Sequence, residues 1–284
     1  MTLTGAGKIA GVIGWPIVHS VSPTLHGYWL QEENVNGALV PLAVARENFA
    51  RAIRALQLSG FRGVNVTLPH KEAAFALADQ SDEAAKAAGA ANLLIFHAQG
   101  RIEARNTDMM GLRESIREKL GDLKTRTVVL LGAGGAARGA ILALNELGAA
   151  RVHILNHHPD KAAILAKALK PIVAMTLDAG DLKDWPKVAG EADLLVNTTS
   201  AGMKGHPALA LDLAGLKPSA AVLDIVYNPL ETALLNDAKA RGHVAIDGLG
   251  MLMHQGVPSF EAFFGVRPKV TDGLRKHLEQ SLHG

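Results

Sequence analysis

Cysteine is absent from the 284 residues. That excludes disulfide frameworks, thiolate nucleophiles and cysteine metal sites, suits a reducing compartment, and makes a cytoplasmic location the expectation. No apolar run approaches the roughly 18 residues that span a bilayer, and Met1 to Ala10 holds no basic segment followed by an apolar stretch of signal-peptide length. The expectation is a soluble chain without a membrane partner. Excess charge of one sign is missing too: 29 basic and 27 acidic residues leave a formal net charge of +2, unlike a polybasic nucleic-acid surface. Small metabolites are the expected partners. There is no internal repeat and no low-complexity linker. The 12 histidines are scattered, and the pairing of His153 with His157 crosses a predicted strand end without a neighbouring carboxylate, so no metal site is expected. Monomer and homodimer both stay open.

What is present describes a packed α/β chain. Hydrophobic residues make up 48% against 20% charged, and the length exceeds one domain of about 100 to 200 residues, so two domains are expected. Lys8 to Ile13 reads as a strand, and Ser22-Pro23 opens a helix through about Glu32, serine as N-cap and proline at the first helical position. Ala38 to Ala43 is a second strand, Glu47 to Leu58 a helix and Gly63 to Thr67 a third strand, an alternation that predicts a mostly parallel sheet. Ala91 to Phe96 and Arg101 to Ala104, joined around Gln99-Gly100, read as a hairpin that ends the first domain near Asn106. A helix over Asp108 to Lys119 precedes the apolar strand Thr127 to Leu131, a glycine loop, a helix to Leu147 and the returning strand Arg151 to Leu155. Strands ending at Asn197 and Asp224 complete a Rossmann-type doubly wound fold, whose site lies at the carboxyl ends of its strands. Gly248 to Phe264 and Thr271 to Leu282 read as helices that pack back on the first domain. The boundaries are therefore 1–106 completed by 247–284, and 107–246.

Gly132-x-Gly134-x-x-Ala137 follows a predicted strand and opens a helix, the context in which glycine backbones approach a pyrophosphate and aim amide groups at it. A tight turn without a ligand is the competing reading. An acid at the end of the next strand would suit the ribose of NAD; here stands Asn156-His157-His158, followed by Pro159-Asp160-Lys161, which favours NADP and leaves NAD open. Lys71 follows Thr67-Leu68-Pro69-His70, where proline interrupts the strand. It is either a solvated helix-start residue or, with Asp108 as its carboxylate partner, a proton-transfer group; Asp108 equally suits the dipole of a helix start. Ser20 and Ser22 lie two apart before a helix, where hydroxyls and free amides make a carboxylate receptor. Capping explains Ser22 and does not require Ser20. A proton-handling site beside a nucleotide site reads as a dehydrogenase.

Gly14-Trp15-Pro16-Ile17-Val18-His19-Ser20-Val21-Ser22-Pro23, Asn65-Val66-Thr67 with Pro69 and Lys71, Ala90-Ala91-Asn92, Asn106-Thr107-Asp108, the glycine loop, Asn197-Thr198-Thr199 with Gly202-Met203, Tyr227-Asn228-Pro229-Leu230-Glu231-Thr232, and Asp247-Gly248-Leu249-Gly250-Met251 with Gln255 together resemble the shikimate dehydrogenase family over nearly the whole chain. The resemblance implies an NADP-dependent reduction of 3-dehydroshikimate to shikimate on the route to aromatic amino acids. It also implies a substrate-binding α/β domain across a cleft from the nucleotide domain. By the same resemblance, Ser20, Ser22 and Tyr227 hold the substrate carboxylate. Asn65, Thr67, Asn92, Asp108 and Gln255 bind ring hydroxyls, and Lys71 is the acid/base residue beside Asp108. Gly132, Ala133, Gly134, Gly135 and Ala136 cradle the pyrophosphate. Asn156, His157, His158 and Lys161 lie toward the 2′-phosphate, Ile225 and Gly248 toward the nicotinamide, and Thr198 is a further cofactor-binding residue.

Three positions depart from the family pattern. Asn156-His157-His158 replaces the usual Asn-Arg-Thr and removes an arginine that stacks on adenine and pairs with phosphate. Leu93 stands where threonine is common, and Arg105 where a small or acidic residue is usual. The alternatives are an NAD-dependent quinate/shikimate dehydrogenase and a catalytically silent nucleotide sensor. Ser20 with Ser22 favours shikimate over quinate, and intact Lys71 and Asp108 argue against a sensor.

Overall fold

The computed structural model describes residues 3 to 283. The chain divides into two compact units, one running to Thr107 and resuming at Gln255, the other Asp108–His254.

In the first unit, β1 (Lys8–Gly14), β2 (Gly37–Ala43), β3 (Gly63–Val66), β4 (Gln80–Ser81), β5 (Leu93–Phe96) and β6 (Ile102–Arg105) form one sheet in the order β2-β1-β3-β5-β6-β4. Pairing is parallel along β2-β1-β3 and between β6 and β4, and antiparallel on both sides of β5. The β5–β6 hairpin is thus present, and the parallel strands are those separated by α1 (Ser22–Glu32) and α2 (Phe49–Leu58), because parallel neighbours need a crossover. Two short helices, α3 (Lys71–Leu77) and α4 (Glu83–Ala88), occupy a stretch to which the sequence assigned no elements. Ile13, Val64, Val66, Leu94 and Ile102 pack with Phe49 and Ile53 into one core.

The second unit carries a fully parallel sheet of β7 (Thr127–Leu131), β8 (Arg151–Asn156), β9 (Thr176–Asp181), β10 (Leu194–Asn197), β11 (Ala221–Asp224) and β12 (Val244–Ile246), in the order β12-β11-β10-β7-β8-β9. The order reverses between β7 and β10, the switch point at which a doubly wound sheet opens a crevice. Alternate residues of β7 face opposite layers: Val128 and Leu130 pack with α5 (Asp108–Leu120) and α6 (Gly135–Glu146), Val129 and Leu131 with Trp185 and Leu234. Burial on both faces explains the unbroken apolar run. Three further helices, α7 (Pro159–Leu169), α8 (Trp185–Val188) and α9 (Ala233–Ala240), complete the layers.

The boundary at Gln255 falls inside α10 (Gly248–Phe264), which is followed by α11 (Asp272–His283). Residues of α10 beyond Gln255 pack against α1: a methyl group on Gly256 would sit 2.7 Å from Leu25 and 3.1 Å from Trp29. The Trp29 indole donates to the Lys269 carbonyl at 2.9 Å, so the carboxyl-terminal segment returns to the first sheet's helix. No helix among the described residues is long and apolar enough to cross a membrane.

Candidate active site

In the first unit the polar residues gather where β1, β3 and β5 meet. Val66 donates its N–H to the Asn92 carbonyl at 2.8 Å, Ala91 donates to the Lys71 carbonyl at 2.9 Å, and Thr67 donates to Ile13 at 2.9 Å. Asn65, Thr67, Lys71 and Asn92 therefore come together through backbone pairing. Lys71 opens α3 directly after His70, whose buried ring stacks on Phe49 at 4.6 Å and bonds the Val44 carbonyl at 2.7 Å. That clamp fixes the turn before the lysine.

Thr107 has no role in the sequence reading, yet it organises two expected ligand groups. Its N–H donates to Asn92 Oδ1 at 2.8 Å, its hydroxyl accepts from Asn92 Nδ2 at 3.0 Å and donates to the Gln255 carbonyl at 3.0 Å. Gln255 Oε1 is buried and meets no hydrogen-bond donor among the described residues. A buried acceptor in that condition costs about 1 to 3 kcal/mol.

Ser20 and Ser22 exchange their expected parts. The N-cap of α1 is Val21, so Ser22 is the first helical residue and Pro23 the second. Ser20 Oγ accepts from the Ser22 N–H at 3.3 Å, so it is Ser20 that serves the helix start. The correction arises because Val21 already carries the non-helical backbone that a cap needs, with φ −91° and ψ 4°.

Asn65 has a partner that the sequence does not advertise. Its Nδ2 lies 3.2 Å from Nε2 of His26, a fully buried residue of α1 ringed by Trp29, Phe260, Phe263 and Phe264. Desolvation drives the His26 pKa down to about 3, so the ring is neutral at any working pH.

In the second unit the glycine loop closes the carboxyl end of β7. Gly132 holds φ +110° and a methyl group there would lie 2.8 Å from Thr198 Oγ1, so only glycine fits. Gly134 and Gly135 border open space and α6 has no side-chain cap, leaving its first amides for an anionic ligand. Thr198 donates its hydroxyl to the Leu131 carbonyl at 2.6 Å, joining the β10 loop to the cradle. Gly248 packs on the backbone of Ile225 and Val226 so closely that any side chain would collide. Asn156 at the end of β8 donates to the His158 carbonyl at 3.0 Å, and His157, His158 and Lys161 are exposed around the start of α7. Asp108 opens α5. Burial raises the Tyr227 phenol's pKa and keeps it a neutral donor.

Asp224 enters the sequence reading only as a strand end, with no role assigned. It is fully buried at the end of β11 and accepts from Asn197 Nδ2 at 3.0 Å, the Val226 N–H at 3.1 Å and the Thr232 hydroxyl at 2.8 Å. An acid closing the apolar run Ala221-Val222-Leu223 was the available signal. Burial raises its pKa against these three bonds. His153 also needs correcting: its ring nitrogens lie 3.5 Å from Asp178 and 3.5 Å from Glu191, carboxylates on elements remote in sequence. Among the described residues no group of three or more such side chains is arranged to hold a metal ion.

A doubly wound sheet with a glycine cradle at its switch point, in a chain that also bears a lysine among converging amides and hydroxyls, defines a dinucleotide-dependent oxidoreductase. Along 96% of its length the chain is 49% identical to the shikimate dehydrogenase (NADP(+)) of Rhodospirillum rubrum, covering 97% of that protein. It belongs to the shikimate dehydrogenase family. Residues 12–94 match the description "Shikimate dehydrogenase substrate binding domain" and residues 114–206 "Shikimate / quinate 5-dehydrogenase". Among solved structures it is similar to the Thermus thermophilus shikimate 5-dehydrogenase in complex with NADP(H) and shikimate, with TM-score 0.83 and 32% identity over 97% of this chain and 98% of that one. It is also similar to the quinate dehydrogenase of Corynebacterium glutamicum in complex with NAD, with TM-score 0.88 and 30% identity over 96% and 99%. Backbone shape alone does not separate these two activities; the sequence relatives do.

Proposed function

We propose that this protein interconverts 3-dehydroshikimate and shikimate with NADPH and NADP+, in the cytoplasm, on the route to aromatic amino acids. The observation that carries this reading is the 49% identity, over nearly the full length of both chains, to a protein named for that reaction and cofactor. In the reducing direction a hydride joins the ketone carbon and a proton joins its oxygen, giving the alcohol and the oxidised cofactor.

Lys71 is the acid/base group: its Nζ proton passes to the oxygen as negative charge develops there, and returns to the amine when the alcohol is oxidised. Asp108 is its carboxylate partner and binds a ring hydroxyl. Asn65, Thr67, Asn92 and Gln255 take the remaining hydroxyls, which both donate and accept, and the orphaned Oε1 of Gln255 supports an acceptor role. Ser20, Ser22 and the neutral Tyr227 donate to the substrate carboxylate. The residues present suit such a cofactor: amides from Gly132 to Ala136 would hold the pyrophosphate, Asn156, His157, His158 and Lys161 would meet the 2′-phosphate, Ile225 and Gly248 would border the nicotinamide, and Thr198 would add a further cofactor contact. When bound, the nicotinamide supplies the hydride in one direction and accepts it in the other.

Incubating the purified protein with 3-dehydroshikimate and NADPH tests the reading. Shikimate identified by chromatography, formed in step with NADPH oxidation, is the expected result. Oxidation of NADPH without shikimate, or no oxidation, contradicts it.

A further inference from the structure

We propose that His26 is a positioning residue that fixes the carboxamide of Asn65 in the orientation the substrate requires, and that its presence within an aromatic core serves that contact. The proposal rests on the reading of Asn65 as a substrate ligand.

Four observations support it. His26 has no exposed surface, and four aromatic rings lie around it with centroids 5.8 to 6.4 Å away. An apolar side chain would satisfy such a surrounding without the cost of burying two ring nitrogens. Among the described residues the ring's sole hydrogen bond is the 3.2 Å contact with Asn65 Nδ2, across 39 residues of sequence. An amide nitrogen only donates, so Nε2 accepts and the ring proton sits on Nδ1. Nδ1 is buried and meets no hydrogen-bond partner among the described residues, so the ring gives up one polar atom to keep the other on Asn65.

The consequence follows from the geometry of the amide. One N–H of Asn65 is committed to His26, which leaves Oδ1 and the second N–H to a ligand. A ring hydroxyl, acceptor and donor at once, matches that pair. Without the imidazole the Asn65 side chain loses the bond that holds its carboxamide in place, and fewer molecules are poised for the hydroxyl. The remaining molecules lose the polarisation that a hydrogen-bond chain confers. His26 does not touch substrate in this scheme; it acts through Asn65 alone.

A double-mutant cycle tests the claim. His26→Met conserves volume and removes the bond, Asn65→Ala removes the ligand group, and the two are combined. Expected is a loss in kcat/KM for shikimate of about five- to tenfold in His26→Met, the worth of one oriented hydrogen bond, with KM for NADP+ unchanged. In the Asn65→Ala background the same substitution should cost little more, and His26→Gln, which restores a polar partner, should recover part of the loss. Losses that multiply, or that fall equally on shikimate and NADP+, overturn the proposal and leave His26 a packing residue. Should Asn65→Ala leave kcat/KM for shikimate unchanged, the reading of Asn65 itself fails, a separate outcome. The unsubstituted protein gives an independent readout: the His26 ring nitrogen signals, observed by nitrogen-15 NMR, should be those of one neutral tautomer and should shift when shikimate binds. Signals indifferent to shikimate contradict the coupling.

Discussion

At the scale of single residues, Lys71 and His157 carry separable expectations. Lys71→Ala should lower kcat by about two to four orders of magnitude, the usual contribution of a general acid/base group, while leaving the dissociation constant of NADP+ within about twofold. Steady-state rates together with a fluorescence titration of the cofactor check this, and near-normal turnover would remove Lys71 from the mechanism. His157 and His158 stand exposed beside Asn156. If they meet the 2′-phosphate, replacing both with alanine should lower the preference for NADP+ over NAD+ by about tenfold, the worth of one or two lost hydrogen bonds to a charged group. His157→Arg should strengthen the preference for NADP+, because a guanidinium is charged and presents a planar fork. Measuring kcat/KM for both cofactors in the unsubstituted protein and in each variant decides it; a preference that neither substitution changes would assign the phosphate to Lys161 and backbone amides.

At the scale of elements, the loops after β10 and β11 depend on one buried carboxylate. Asp224→Ala removes the acceptor of the Val226 amide, of an Asn197 side-chain N–H and of the Thr232 hydroxyl proton. Each buried group left unpaired costs about 1 to 3 kcal/mol, so the variant should lose about 3 kcal/mol or more in urea unfolding and bind NADP+ more weakly. Unchanged stability and affinity would show that the loops stand without it. The charge itself has a pH signature. Burial raises the pKa of Asp224, so the native state holds that proton more tightly than the unfolded chain does. Stability from this group is fully present below the unfolded pKa of about 4 and is lost as pH rises through the folded value. Asp224→Asn carries no such charge, so its stability relative to the unsubstituted protein should climb from about pH 4 upward and level off above the folded pKa. A constant difference across that range would mean that the carboxylate is not perturbed.

Long apolar elements were legible because their periodicity is local. The run Thr127–Leu131 is buried on both faces and was readable as a strand, whereas the edge strand Thr176–Asp181 was not, since it carries two aspartates and pairs on one side only. Lys71–Leu77 and Glu83–Ala88, at 7 and 6 residues, are too short to show a helical stripe. The glycine cradle was legible for the same reason as the strands: its motif lies within one turn. The bonds that aim the site were not. His26 reaches Asn65 across 39 residues and Thr107 reaches Gln255 across 148, distances over which no sequence pattern reports a hydrogen bond. The misplaced cap at Ser22 is a smaller case, where residue type favoured serine and the backbone chose Val21.

For the whole molecule, the central claim is a pairing of one substrate with one cofactor. The same fold is found in a shikimate 5-dehydrogenase bound to NADP(H) and in a quinate dehydrogenase bound to NAD, with TM-scores of 0.83 and 0.88, so architecture leaves the choice to side chains. Here Ser20 with Ser22 favours shikimate, and the absence of an acid at Asn156-His157-His158 favours NADP. The most direct test is kcat/KM for shikimate and for quinate, each with NADP+ and with NAD+, on the unaltered protein. The expected result is shikimate with NADP+ ahead of quinate with either cofactor by at least about a hundredfold, the discrimination available to a site that pairs buried polar groups with specific hydroxyls. Quinate with NAD+ equal to or above shikimate with NADP+ would contradict it.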